Sequence, residues 1–185
     1  MQLDHFYPFG ASWFPVLAAI DVDTGYGACT TIPTRSADRF SVGFIKKFLL
    51  ELGINEFTLQ TDQEPAVMEL ARMVAASSDG KVSFRTTPRA SSASNGSVER
   101  FNLSVQELGG TLIAHVETCT NTSIGSDHPI MPWVPRHTGY LATRFQVHSN
   151  GATSYQSARG APFVQDLMQF RRGRGRPGGC QGQGS

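Results

Sequence analysis

The feature that most constrains the fold is an apolar run at residues 16–22, which ends in the turn signature DVDTG at residues 21–25. Residues compatible with a strand resume at once and continue over residues 26–32. Two strands joined by a short turn predict an antiparallel hairpin. Residues 2–7 have the apolar and aromatic content of a further strand, so we expect three consecutive strands in a meander.

Three segments after the meander carry apolar residues at helical spacing. The first has Ser36 as its predicted N-cap and ends at Gly53, a helix stop signal. Pro65 opens the second, because a proline in the first helical turn sacrifices no hydrogen bond. The third runs from residue 97 to about residue 115 and has one buried stripe.

Short strands are predicted between these helices, at residues 56–61 and 82–86, and a polar, serine-rich loop at residues 89–97. Three strands followed by alternating helices and strands predict an α/β domain of the ribonuclease H-like class. Such a domain has a mixed sheet of about five strands flanked by helices. A chain of 185 residues has room for one domain of this kind.

Beyond the third helix the periodicity weakens, which predicts an irregular C-terminal extension. We divide the chain into a core at residues 1–118, an extension at 119–170 with a short helix at 136–145, and a tail at 171–185. The tail is rich in glycine and contains Arg171, Arg172, Arg174 and Arg176, a composition that predicts disorder. Such a segment either binds nucleic-acid phosphates without reading sequence or is inert.

Charge and cysteine usage exclude several classes of protein. The formal net charge is +1, so any nucleic-acid surface must be local rather than a property of the whole chain. Cys29, Cys119 and Cys180 are far apart, which indicates neither a zinc module nor a disulfide framework. No apolar run approaches the length of a membrane span, so we expect a soluble intracellular protein without membrane contact.

Three carboxylates form the candidate catalytic and metal-binding set. Asp4 and Asp62 are each predicted at a strand, and Glu99 opens a helix after the polar loop. Carboxylates held by rigid elements at one end of a sheet suit Mg²⁺ or Mn²⁺. Two such metals support phosphoryl transfer without a nucleophilic side chain. The spacing alone does not decide this, because 15 acidic residues offer many triplets and strand-end carboxylates are often solvated.

The sequence around these carboxylates resembles the catalytic core of retroviral integrases. Residues 2–4 (QLD) and the following apolar run resemble the first two strands of that core. Residues 61–63 (TDQ) resemble the second acidic motif, Thr-Asp-Asn, and residues 94–99 (SNGSVE) resemble the third. The resemblance covers residues 1–117. A weaker one, at residues 133–163, is to the segment that follows the core in integrases of LTR retrotransposons.

The resemblance implies that Asp4, Asp62 and Glu99 hold Mg²⁺ or Mn²⁺ and that the chain is part of a retrotransposon polyprotein that joins element DNA ends to target DNA. Its partner would be double-stranded DNA, its assembly a homo-oligomer and its site of action the nucleus. Asn95 and Gly96 would approach a DNA strand, although Asn-Gly is also a common turn pair.

Several positions depart from the family's pattern. Gln63 and Glu64 stand where glycine often follows the second motif, which adds a negative charge near the metals. Leu103 and Gln106 occupy helical positions that often hold DNA-contacting lysines, so we expect reduced DNA affinity. The sequence also lacks the family's N-terminal His/Cys zinc module.

Other acidic and histidine residues have simpler explanations. Asp23, like Asp21, is better explained by a hairpin turn, where an aspartate bonds the nearby backbone. The histidines share no ligand spacing, although His5 is adjacent to Asp4 and could touch the site.

Two other functions remain open on the sequence. A nuclease of the same fold would use similar carboxylates to hydrolyse RNA in a hybrid. A non-catalytic remnant would act at most as a nucleic-acid-binding module.

Overall fold

The computed structural model describes residues 1–10, 13–61, 64–78, 80–86 and 95–165. Within these residues the strands are β1 (Gln2–Phe6), β2 (Val16–Ile20), β3 (Gly27–Thr31), β4 (Phe57–Thr61) and β5 (Val82–Thr86). The helices are α1 (Arg39–Leu52), α2 (Pro65–Ala76), α3 (Gly96–Thr120), α4 (Val134–Phe145) and α5 (Ser154–Arg159). None of the helices in this part of the chain combines the length and apolar character needed to cross a membrane.

The strands form one mixed sheet in the order β3-β2-β1-β4-β5. β1, β2 and β3 pair antiparallel, with Asp4 opposite Ala18, so the predicted meander is confirmed. β4 pairs parallel with β1, where Gln2 is opposite Gln60, and β5 pairs parallel with β4. The expected mixed sheet of about five strands flanked by helices is therefore confirmed.

Each face of the sheet covers its own apolar core, because alternate residues of a strand point to opposite faces. Leu3 and Leu59 pack with α1 and α2 in the first core. Val16 and Ala18 pack with α3 in the second. Leu3 therefore faces α1 and α2, and its neighbour Asp4 faces α3. Burying a leucine side chain of this kind stabilises the fold by roughly 1.5–3 kcal/mol.

The predicted N-cap of α1 is wrong, and its predicted C-terminal stop is confirmed. The N-cap is Asp38 rather than Ser36, because the Asp38 carboxylate accepts a 2.7 Å hydrogen bond from the Ser41 N–H. That bond holds the pKa of Asp38 below its usual value. The Ser36 hydroxyl instead bonds Thr34 Oγ1 at 2.6 Å. Gly53 ends the helix with φ of 70°, a left-handed conformation that glycine adopts without strain.

The other two predicted helices are confirmed with one change in length. Pro65 is the first residue of α2. α3 begins at Gly96 and continues to Thr120, which is beyond the expected end near residue 115 and beyond the division proposed at residue 118. The predicted serine-rich loop lies largely outside the described residues.

The extension packs on the core through α4, which confirms the helix predicted at residues 136–145. α4 lies against β3, where the Thr143 hydroxyl donates a 2.6 Å hydrogen bond to the Gly27 carbonyl. Gly139 allows this close approach, since a Cβ there would lie 2.8 Å from the Cys29 sulfur. The divisions at residues 118 and 170 stay predictions.

Arg144 of α4 binds residues of the core and lies against aromatic rings of the extension. Arg144 donates hydrogen bonds to Glu51 Oε1 at 2.9 Å and to the Tyr26 hydroxyl at 3.0 Å. The Tyr26 hydroxyl also donates to Glu51. The Arg144 guanidinium lies against four aromatic rings, those of Tyr26, Tyr140, Tyr155 and Phe163, with the Tyr140 centroid at 4.2 Å. We call Arg144 and these four rings the aromatic clasp.

Candidate metal and nucleic-acid site

Helix α3 is hydrogen-bonded to β1 and to the segment that directly follows β1, and it runs alongside the strand in the same direction. The bonds are Val98 N–H to Gln2 Oε1 at 3.0 Å, Asn102 Nδ2 to Asp4 Oδ2 at 2.7 Å, and Gln106 Nε2 to the Pro8 carbonyl at 3.1 Å. The three helical residues are four positions apart, so they share one stripe of the helix. We call these contacts the α3–β1 bonds.

Asp4 is a half-buried carboxylate whose orientation is fixed by its partner on α3. The donor, Asn102, is itself buried. A carboxylamide donor holds the carboxylate by a hydrogen bond and leaves its negative charge in place, unlike a lysine or arginine. Asp4 is therefore an oriented carboxyl group, and its role as a metal ligand stays a prediction.

Glu99 lies in the first turn of α3, next to the stripe that bonds β1. Its side chain is exposed, and its backbone N–H donates to the Asn95 carbonyl at 3.2 Å. Glu99 follows Val98 and stands three positions before Asn102, a separation that makes two helical residues neighbours. The structure thus brings the turn carrying Glu99 against the strand carrying Asp4.

Asp62, the remaining predicted ligand, lies outside the described residues. It follows Thr61, the buried last residue of β4. Asp4 and Asp62 each stand two positions after one of the paired residues, Gln2 and Gln60. Among the described residues no cluster of three or more metal-ligating side chains is present. Convergence of the three carboxylates stays a prediction.

The residues predicted to approach DNA have different environments. Asn95 immediately precedes α3 and is 7% exposed, so its side chain points into the protein. Gly96 is half-buried, and a Cβ there would meet no atom within 4 Å. Gly96 is thus the more open of the two. The tail arginines Arg171, Arg172, Arg174 and Arg176 lie outside the described residues.

The carboxylate of Glu64, expected as an extra negative charge near the metals, is paired with a cation. Arg35 donates to Glu64 Oε2 at 2.7 Å, and it also donates to the His5 carbonyl at 3.3 Å. His5 Nδ1 lies 3.8 Å from Glu64 Oε1, on a buried side chain. His5 is next to Asp4 along β1 and so points to the opposite face of the sheet.

The hairpin turn is predicted to be stabilised by Asp23. The aspartate that accepts hydrogen bonds within the turn is Asp21 instead. Asp21 Oδ2 accepts hydrogen bonds from the Thr24 hydroxyl at 2.6 Å and the Thr24 N–H at 3.2 Å. Asp23 is exposed. The buried aspartate that organises the turn is therefore Asp21.

The two helical positions that lack lysine have separate roles. Leu103 is 53% exposed, an apolar side chain on the outer surface of α3. Gln106 Nε2 donates to the carbonyls of Tyr7 and Pro8, which directly follow β1, so its amide serves the packing of α3. Neither position supplies a cation.

No family model matches the sequence, and no curated protein matches it. The solved structures that are similar to it in fold include two viral ones. One is the intasome of simian T-cell lymphotropic virus in complex with PP2A regulatory subunit B56 gamma, with a TM-score of 0.63 and 14% identity over 95% of this chain. The other is the catalytic core domain of BIV integrase, with a TM-score of 0.54 and 14% identity over 84% of this chain and 90% of that one.

The chain spans 59% of the length of the intasome chain it matches. Identity of 14% carries the fold and not the chemistry. The order of strands, the helices on both faces of the sheet and these two likenesses agree. The chain has the ribonuclease H-like fold of retroviral integrase catalytic cores.

Proposed function

We propose that this chain is an integrase-type polynucleotidyl transferase that joins the DNA ends of a retroelement to target DNA. The proposal rests on the hydrogen bond from Asn102 to Asp4. Asn102 lies about one helical turn after Glu99 on α3. This contact joins two carboxylate-bearing elements in the fold of an integrase core. A scaffold that only binds DNA does not require an oriented carboxylate at this place.

The donor set fits Mg²⁺ or Mn²⁺. Hard divalent cations prefer carboxylate oxygens, and Asp4, Glu99 and Asp62 would supply them. Asn102 orients one of these carboxylates and leaves its charge intact. Held by these carboxylates, two such ions would supply charge stabilisation for an in-line displacement at phosphorus.

The residues of the chain contribute position and a favourable field. Asn102 fixes the Asp4 carboxylate, and Gln2 fixes the start of α3 by accepting from the Val98 N–H. The N-terminus of a helix carries a partial positive charge that favours a phosphate nearby. α3 is a helix of 25 residues. Its first turn lies beside β1, the strand that holds Asp4, because the Val98 N–H bonds Gln2.

The proposed partners follow from the same chemistry. Double-stranded DNA would provide both the element ends and the target, and the protein would act as a homo-oligomer in the nucleus. One structural neighbour is part of an intasome, which supports this assignment. An origin in an LTR retrotransposon rests on the weaker resemblance at residues 133–163.

A catalytically impaired DNA-binding remnant is the competing function. It is favoured by Leu103 and Gln106, which place no cation on a surface where DNA would lie. The two functions differ in whether a carboxylate is needed for chemistry as well as for structure.

Strand joining by purified protein on labelled DNA ends in Mn²⁺ separates the two functions. We expect the wild type to join strands and Glu99→Gln to lose at least roughly a hundredfold in rate, since such a residue stabilises charge in the transition state. Glu107→Gln is the matched control, because Glu107 is exposed two turns further along α3. Equal background from wild type and Glu99→Gln, with both proteins folded, would leave only the remnant.

A further inference from the structure

A groove of about 480 Å³ lies between α3 and the segment that follows α4. This is the size of a site for a small ligand or a short piece of a polymer. Ser97, Arg100 and Ser104 line it from α3, and Gln146 and His148 line it from the other side. We call it the α3–α4 groove.

The lining of the groove has the chemistry of an anion site. Arg100 and His148 are the ionisable residues among the described residues that line it, and no carboxylate lines it within that part of the chain. The side chains of Arg100, Ser97 and Gln146 have no hydrogen bond or ion pair among the described residues, so their donors are open to a ligand. Neither carboxylate of the neighbouring turn, Asp21 or Asp23, lines the groove, and that of Asp21 is bonded to Thr24.

The far wall of the groove is held by buried hydroxyls that already have partners. Ser154 Oγ is 2.8 Å from His148 Nε2, which fixes the orientation of the imidazole. The Thr143 hydroxyl donates to the Gly27 carbonyl and accepts from its N–H. The polar groups on this wall are therefore preorganised rather than mobile, which lowers the entropic cost of binding.

The groove also has an apolar floor, which suits the sugar that is attached to a phosphate in a nucleotide. Ile20, Phe101 and Ala142 form this floor beneath the polar rim. A deoxyribose has an apolar ring face, whereas inorganic phosphate offers nothing to such a floor. The combination favours a nucleotide unit of a strand over a free inorganic ion.

The groove lies across α3 from the carboxylates. Arg100 directly follows Glu99 in sequence, but it belongs to the stripe of Ser97 and Ser104, on the side away from Asp4. An α-helix with its side chains is about 10–12 Å wide. Successive phosphates of a strand advance about 3.4 Å along a duplex axis, so roughly three nucleotides span the helix.

We propose that the α3–α4 groove binds a phosphodiester of the DNA strand that passes over α3 from the reacting phosphate, with Arg100 as the principal cation. This rests on the proposed function, because the strand is the one that the carboxylates would cut or join. Arg100 also compensates for the missing lysines at positions 103 and 106. DNA affinity would thus depend on Arg100, a cation on the side of α3 that faces away from Asp4.

Anisotropy titrations of a fluorescent DNA duplex with the full chain, over a range of salt and without divalent metal, test this inference. Arg100→Gln should weaken binding and reduce the slope of log K against log salt by about 0.9, the loss of one phosphate contact. The ratio of wild-type to variant affinity should then fall roughly threefold for a fourfold rise in salt. Arg39→Gln, which removes an exposed charge on α1, should leave the slope unchanged.

A second variant and a competitor distinguish the loss of a DNA contact from the loss of the folded structure. Gln146→Glu puts a carboxylate into the groove and should weaken binding at least as much as Arg100→Gln, with an unchanged circular dichroism spectrum. Saturation of the groove by a mononucleotide that duplex DNA cannot displace would overturn the assignment to a DNA strand. So would a slope for Arg100→Gln equal to that of the wild type.

The two proposals fail separately in these experiments. If Arg100→Gln lowers the slope while wild type shows no strand joining, the groove stands and the transferase does not. If wild type joins strands and Arg100→Gln binds DNA as wild type does, the transferase stands and the groove assignment is lost.

Discussion

The side-chain amide of Asn102 donates a 2.7 Å hydrogen bond to the carboxylate of Asp4. This bond connects the middle of the first strand to the helix that carries Glu99, and it is buried on the Asn102 side. Asn102 therefore holds the Asp4 carboxylate in one orientation against α3.

Replacing Asn102 by alanine should lower strand joining by about 10- to 100-fold, the usual effect of removing a group that orients a metal ligand. The strand joining of Asn102→Ala should recover in part at high Mn²⁺, because the Asp4 carboxylate itself is still present. Gln106→Ala is the control, since it removes a similar α3–β1 bond that ends on a backbone carbonyl. A loss of activity equal in the two variants would assign Asn102 to packing alone.

The aromatic clasp should set the stability of the extension. Arg144→Gln removes the ion pair with Glu51 and the cation beside four rings, so we expect a loss of about 1–3 kcal/mol in the free energy of unfolding. Arg144→Lys keeps the charge but not the planar donor fork, so it should recover only part of this. Urea denaturation measures both.

Hydrogen exchange at residues 146–163 locates the effect of the clasp variants. Faster exchange there in Arg144→Gln, with the strands unchanged, is the expected pattern. Arg136→Gln, an exposed change on the same helix, should have no effect. Uniform exchange over the whole chain would show that the clasp does not act locally.

The thiol of Cys29 should stay unreactive in the folded protein. Burial raises its pKa to about 12 from 9.0, and the sulfur donates to the Pro135 carbonyl at 3.0 Å. The neutral thiol is favoured in the folded state, so its contribution to stability is complete below about pH 9 and declines as pH rises towards 12. The exposed Cys119 has no such protection.

Labelling with a thiol reagent at pH 8, followed by peptide mapping, checks this difference. Cys119 should react within minutes and Cys29 only after denaturation. Rapid modification of Cys29 in native protein would show that α4 does not stay packed on β3. Cys119→Ser provides the blank for the exposed site.

Local signals in the sequence predicted much of the fold. Gly53 and Pro65 mark helix boundaries through backbone properties that need no tertiary contact, and both predictions are confirmed. Ser36 failed as an N-cap because Asp38, two residues later, offers a stronger acceptor to the helix. Competing caps separated by two residues cannot be ranked from spacing alone.

The contacts around the candidate site depend on long-range packing, which spacing does not reveal. Asn102 lies 98 positions from Asp4, and Arg144 lies 93 positions from Glu51. Strand alternation could have placed His5 on the face away from Asp4. Nothing in the sequence indicated that Arg35 would pair with Glu64.

If Asp4, Asp62 and Glu99 share one metal site, the binding of Mn²⁺ must depend on all three carboxylates. Electron paramagnetic resonance reports free Mn²⁺ during a titration of the full chain. We expect Asp62→Asn, and likewise Asp4→Asn and Glu99→Gln, to weaken binding by at least about tenfold. Asp23→Asn, a change in the exposed turn, should bind Mn²⁺ as the wild type does. Wild-type Mn²⁺ affinity in folded Asp62→Asn would contradict the shared site.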